Sequence, residues 1–487
     1  MTRSSFSRAL FLAAIAVFLL PTPSVAQRSG RAAQRAGGEP PTAARSDDTV
    51  GVRRPRGIYV VVVLDESRAK KDSDDLDALA ANPAVSGLAV RMFWSSLQPA
   101  KDRYDFSKLD AAFAIAAARH KTVQLILVPG FGTPAWVLDE IPSCDDVLPP
   151  PSAPAEGRGE HAGGGHAAHA GGGKGEHGAG RADASRADAG RADTAGADGN
   201  KCGKALFAVS EGKAHGQKQE LPLPWNPIYK NYWKAFLTEV ASRYESHAEF
   251  VSIAVTGPTA ESAEIIVPRA GDQLERWAQL LEIAYRDPSY HRSDKAFVEE
   301  WDAAVTVFGE VFHDVTIVLT RGSGLPDFTH GQGSAAQTAI VTAFGHHAVG
   351  TNSKATQTSG MKACRETEAG IEGVKEMSAN ASLSPRVLGG AQFDTSFSEK
   401  PAAEGCSASC SASAPVCASV TPSLALSNVL SVYFDDTPAG DLYHSKKGAA
   451  PMNYMQVYAP DIRFANTQPA IQTTLDQASQ RILTQAK

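Results

Sequence analysis

The chain has 487 residues, with 47 Lys and Arg against 53 Asp and Glu, a net charge of −6. So mild a balance, with no candidate helix gathering the Lys and Arg, argues against nucleic acid as a partner. The length admits one large domain or two ordinary ones.

Arg3 and Arg8 flank the start of an apolar run over 9–20, and small residues follow at 23–26. That order is the pattern of a secretory signal peptide, residues 1–26, cleaved near Ala26. The run is too short to span a bilayer comfortably. No later segment reaches spanning length without charge, so the mature chain is expected to be exported, periplasmic or extracellular, with no stable membrane span. Residues 27–54 are rich in Arg, Ala, Gly and Pro and read as a disordered arm.

From 55 onward strands and helices alternate. A β-branched run at 58–64 predicts a strand buried on both faces. A helix follows at 74–81, a strand at 87–93, an Ala-rich helix at 109–120 and a third strand at 122–128. Residues 149–200 then turn Pro-rich, Gly/His/Ala-rich, and finally repeat Arg-Ala-Asp from Arg181, Arg186 and Arg191. Lacking large apolar residues, this low-complexity insert cannot offset its chain entropy and is expected to be a disordered loop. The alternation resumes with a helix at 229–244, a strand at 250–256, helices at 274–285 and 295–308, and a strand at 315–320. A weak sixth strand is expected at 348–352, a helix at 366–377 and a seventh strand at 386–393. A helix at 424–433, an eighth strand at 454–458 and a last helix at 471–483 complete the series.

Eight strands in βα order make this an α/β chain, a (β/α)8 TIM barrel over 55–487 with a long insertion after strand three. An open doubly wound sheet is the alternative, weakened because no Gly-rich dinucleotide fingerprint follows the first strand.

The six cysteines fit disulfides in an exported chain. Cys144 and Cys202 flank the insert and are placed to staple its base. Cys364, Cys406, Cys410 and Cys417 could make two more bridges, with zinc as a rival reading for the last three. His161, His166, His169 and His177 in the insert form a tract able to hold metal loosely, but no metal or cofactor is expected in the site. No Gly-x-Ser-x-Gly elbow follows a strand, so Ser-His-Asp catalysis has no support.

In a barrel the chemistry sits where the strands end. Those ends carry Asp65 and Glu66, then Arg91 and Trp94, then Trp136 in the stretch 129–136. Further along they carry Glu261 and Glu264, Asn352, Gln392 and Asp394, and the region of Gln456 and Tyr458. Carboxylates, amides, an arginine and indoles suit a carbohydrate, whose hydroxyls need polar partners and whose rings stack on aromatics.

The segment Val-Arg-Met-Phe-Trp-Ser-Ser-Leu-Gln-Pro at 90–99, with Tyr104, Asp105, Phe106, Leu109 and Asp110 behind it, resembles the second-strand region of clan-A glycoside hydrolases. It is closest to the family 42 β-galactosidase type, and Gly-Thr-Pro-Ala-Trp at 132–136 is similar to that family's third-strand region. The resemblance implies retaining hydrolysis by two carboxylates, an acid/base after strand four and a nucleophile after strand seven. Glu264 is the first choice for the acid/base and Glu261 the second, although the family's Asn-Glu pair is missing at 256–258. Gln392 stands where the nucleophilic Glu belongs, and Asp394, or Asp65 or Glu66 from strand one, is its substitute. Arg91 would position a carboxylate, and Trp94, Trp136, Asn352 and Gln392 would bind substrate. The reading is an exported glycoside hydrolase cleaving O-glycosidic bonds. The rival is a catalytically degenerate barrel that binds carbohydrate, or serves the cell envelope, without cleaving it. A barrel hydrolase or lyase acting on other bonds ranks below both.

Overall fold

The computed structural model describes residues 52–65, 69–148, 202–209, 215–328, 336, 339–340, 355–361, 387–393, 396–401, 420–434 and 452–486. The chain runs through β1 (Gly57–Val63), α1 (Ala69–Ala81), β2 (Val85–Phe93), the single turn α2 (Trp94–Leu97), α3 (Ser107–Ala118) and β3 (Thr122–Val128). It continues through α4 (Ala135–Asp139), β4 (Lys204–Ala208), β5 (Lys218–Pro222), α5 (Pro227–Tyr244), β6 (Phe250–Ala254), β7 (Glu264–Ile266), α6 (Gln273–Ala284) and α7 (Lys295–Val311). The last elements are β8 (Thr316–Gly324), β9 (Ala355–Met361), β10 (Val387–Phe393), α8 (Pro422–Phe434), β11 (Met452–Tyr458), α9 (Ala459–Thr467) and α10 (Pro469–Gln485).

The strands close on themselves. In order, β1, β2, β3, β6, β8, β9, β10 and β11 each pair in parallel with the next, and β11 pairs in parallel with β1. This is the expected eight-stranded barrel, a closure that leaves no sheet edge to cover. Strand alternation divides its side chains into two layers. Ile58, Val60 and Val62 of β1 point outward and pack with α1, α3, α5 and α10 residues in the main core. Tyr59 and Val61 point into the lumen with Ala89, Ile126, Val128, Ala254, Val318 and Tyr454. Each fully buried Val or Ile contributes roughly 1.5–3 kcal/mol, which is why a run buried on both faces makes a stable barrel stave.

The floor of the lumen is aromatic. Tyr59 and Tyr454 meet edge to face with centroids 5.8 Å apart, and Gly390 makes room for the second ring, since a Cβ there would stand 2.4 Å from Tyr454 Cε1. Above them Gln456 Nε2 donates to Gln124 Oε1, so one hydrogen bond joins two buried amides across the lumen, while Gln124 Nε2 has no partner among the described residues.

Helix starts follow local chemistry. Asn226 caps α5 by accepting from the Tyr229 N–H at 3.0 Å, with Pro227 at the first helical position. The antiparallel hairpin of β4 and β5 stands where the chain re-enters after the insert. It is tied to the third βα loop by the Cys144–Cys202 disulfide and by the Leu206 N–H, which donates to Asp145 Oδ2 at 3.1 Å; Arg276 of α6 forms an ion pair with the same carboxylate. The bridge at the base of the insert is therefore present; the other four cysteines lie outside the described residues.

Two strands differ from expectation. The sixth is β9, Ala355–Met361, whereas 348–352 lies outside the described residues. The fourth is split, with β6 ending at Ala254 and a second piece, β7, rejoining the sheet at Glu264. The helix expected at 366–377 also lies outside the described residues.

Candidate active site

The split in strand four shapes the mouth of the barrel. Ala254 of β6 pairs with Val318 of β8. In an unbroken strand residue 256 would pair with Thr320, but Glu264 takes that place. Eight extra residues, 264 minus 256, thus leave the wall and return. Because Ile265 is fully buried in the outer core, alternation turns its neighbour Glu264 toward the lumen, where it is half-buried. The excursion over 255–263 is closed by its own bonds: Ala260 N–H donates to Ile266 O at 2.8 Å, and Thr259 Oγ1 donates to Ser262 O at 2.9 Å. Ser262 Oγ accepts from the Glu264 N–H at 3.0 Å. Ala263 packs into the lumen cluster, so the stretch from Glu261 to Glu264 lies over the mouth.

The neighbouring strand ends meet it there. Arg91, half-buried on the lumen side of β2, donates from Nη2 to the main-chain carbonyl of Glu261, and its guanidinium lies 5.8 Å from the centre of the Phe93 ring. Asp65, just past β1, accepts the Phe93 N–H and so joins the ends of the first two strands. Across the mouth, Gln392 of β10 donates from Nε2 to Tyr458 Oη of β11 at 2.9 Å. One wall is thus charged, with Asp65, Arg91, Glu261 and Glu264, and the facing wall carries a neutral amide and a phenol.

Five of the expected site residues are not in this group. Asn352 and Asp394 lie outside the described residues, as does Glu66. Trp94 and Trp136 do not stack in the lumen. Trp94 is fully buried in the outer layer among Trp136, Tyr229, Trp233 and Phe236, and its Nε1 donates to Gln98 Oε1 at 2.8 Å. Trp136 packs beside it and against Tyr232, donating to Gln98 O at 3.1 Å. The reason is parity: residue 91 faces inward, so residue 93 does too, and 94 opens the outward turn α2. Among the described residues, the aromatics that reach the lumen mouth are Phe93 and Tyr458, both half-buried against the lumen cluster. Counting by twos from Arg91 would have found Phe93 in the sequence.

Below the rim, Asp461 at the start of α9 is fully buried. It accepts from Ser396 Oγ at 2.7 Å and from Ser398 N and Oγ at 3.0 and 2.9 Å. Its second oxygen accepts from the Tyr458 N–H at 3.2 Å. Burial pushes its carboxyl up to about 6, against the pull of those donors. It ties the chain after β10 to the end of β11, and hence supports the Gln392–Tyr458 pair. A separate cavity of about 50 Å³ lies outside the barrel between α5 and α7, lined by Tyr229, Trp233, Thr256 and Glu300. Among the described residues no group of three or more His, Cys, Asp or Glu is arranged to hold a metal ion, and no helix is long and apolar enough to cross a membrane.

These features define a glycoside-hydrolase-like (β/α)8 barrel with a carboxylate-bearing mouth at the strand ends. The family likeness is specific: residues 66–164 match the sequence model of glycoside hydrolase family 42, described as beta-galactosidase. Both motifs that carry the resemblance, 90–99 and 132–136, fall inside that segment. No curated protein matches the chain. Among solved structures, a cold-adapted β-galactosidase from Rahnella sp. R3 aligns with 10% identity and TM-score 0.43, over 89% of this chain and 57% of that one. Xylanase A of P. fluorescens subsp. cellulosa aligns with 10% identity and TM-score 0.42, over 87% and 97%. Xylanase 10B of Thermotoga maritima gives 10% and 0.39, over 88% and 97%. Likeness at that level defines neither substrate nor activity for this chain.

Proposed function

We propose that the chain is an exported glycoside hydrolase that cleaves O-glycosidic bonds, with Glu264 as general acid/base. The observation that carries this reading is the register of β7. Glu264 occupies the lumen slot of strand four opposite Thr320, at the strand where a clan-A hydrolase keeps its acid. The acid would protonate the departing glycosidic oxygen, and Phe93 and Tyr458 would face the sugar ring. A second carboxylate must lie ~5–5.5 Å from the first if the anomeric configuration is retained. Gln392 cannot attack carbon as a carboxylate does, so Asp394, or Asp65 or Glu66, takes that part. Export is supported by the N-terminal leader pattern and by the Cys144–Cys202 bridge, since such bonds persist in oxidising compartments.

A second reading is favoured by one contact. The Gln392–Tyr458 hydrogen bond gives the strand-seven wall a settled neutral arrangement, suited to holding a sugar without cleaving it. A panel of 4-nitrophenyl glycosides separates the two. A hydrolase releases 4-nitrophenol from at least one of them, and Glu264→Gln lowers that rate by ~10²-fold or more. Saturable sugar binding with no release from any member would establish the binding reading instead.

A further inference from the structure

What holds residues 255–263 decides where Glu264 stands, and two neighbouring elements hold them. From β2, Arg91 donates to the Glu261 carbonyl. From the turn after β3, the Phe131 N–H donates to the Ala260 carbonyl at 2.9 Å. That turn approaches so closely because Gly130 has no side chain. A Cβ on Gly130 would stand 2.3 Å from Thr259 O and 2.5 Å from Ala260 O, and its φ of +67° is one that other residues rarely adopt.

We propose that Arg91 is a positioning residue which, with the Gly130 turn, clamps the strand-four excursion by its main chain and so fixes Glu264 at the barrel mouth. This rests on the reading of Glu264 as the acid. A main-chain carbonyl does not titrate. Its charge-assisted bond to a guanidinium therefore keeps its strength while an acid/base carboxyl gains and loses a proton. Gripping the carbonyls of 260 and 261 sets the path of the chain three residues ahead of the acid.

The test uses the full chain and four proteins: wild type, Arg91→Ala, Arg91→Lys and Gly130→Ala. Amide hydrogen exchange is followed over 255–267 and at Phe131, beside turnover of whichever 4-nitrophenyl glycoside the wild type cleaves. Arg91→Ala and Gly130→Ala are expected to speed exchange across the excursion by ~10-fold or more. Both are expected to lower kcat by ~10²-fold, the effect of a displacement near 1 Å, with KM little changed. Arg91→Lys, which keeps a donor, recovers part of both. Loss of kcat in Arg91→Ala without faster exchange would overturn the proposal, because Arg91 would then act on the substrate or a reacting group directly. A loosened excursion with full turnover in Gly130→Ala would overturn it as well. If the wild type cleaves no glycoside, the hydrolase reading falls. The exchange data still decide the clamp, which unchanged exchange in both variants refutes. Should Arg91→Ala fail to fold, Arg91→Lys and Gly130→Ala carry the same comparison.

Discussion

Phe93 and Trp94 are neighbours in sequence and stand on opposite sides of the barrel wall. Trp94 has no exposed surface, so Trp94→Ala should cost ~3–5 kcal/mol of stability, read as a lower denaturation midpoint. Phe93→Ala should cost less stability and weaken sugar binding more. If Trp94→Ala left stability intact and abolished binding, the assignment of the two layers would be wrong. Asp461 gives a second prediction. Its carboxyl is raised from 3.8 to about 6 by burial, so between those values the folded chain keeps a proton that the unfolded chain has lost. Its contribution to stability should therefore be greatest below pH ~4, fall as pH rises toward 6, and level off above it, by ~3 kcal/mol in all at ~1.4 per pH unit. Burial raises Asp294 and Asp302 to about 6 as well, so Asp461→Asn should lessen the downward slope in urea titrations from pH 4 to 7 without abolishing it; a slope unchanged from wild type would assign it to other groups. At this scale the sequence named Arg91, Glu261, Glu264 and Gln392 as residues of the mouth. It misplaced the tryptophans because a Trp after a strand looks the same whichever way it points, and only parity from Arg91 separates the two cases.

Elements were legible where hydrophobic period and caps agreed. β3 begins and ends where its apolar run does, and α5 starts at the Asn226-Pro227 cap. Strand four was harder. Phe-Val-Ser-Ile-Ala at 250–254 shows its first piece, but β7 is three residues long and is defined by its partner β8, a long-range pairing that no local pattern encodes. The short strands β4 and β5 escaped for a similar reason: each is five residues long and defined by pairing with the other, and the core face they share, Ala205, Phe207 and Leu221, is too small to show a period in either segment. The disulfide closes a loop with a sequence separation of 58. Reducing it, or replacing both cysteines by Ser, should cost ~2–4 kcal/mol in urea unfolding. Far smaller loss would mean that the hairpin and the third βα loop stay in place without it.

For the molecule as a whole, eight parallel strands bring three carboxylates, an arginine, an amide and two aromatics from distant parts of the chain to one end of one lumen. The mouth has a charged side built from β1, β2 and β7 and a neutral side built from β10 and β11. A general acid on the charged side matters most when the leaving group is poor, because a good leaving group departs without a proton. The decisive measurement therefore compares wild type and Glu264→Gln on two glycosides of the same sugar, one with a 2,4-dinitrophenyl and one with an alkyl leaving group. If Glu264 is the acid, the variant loses ~10²–10⁴-fold on the alkyl glycoside and far less on the dinitrophenyl one. Equal losses on both, or no loss on either, would contradict it.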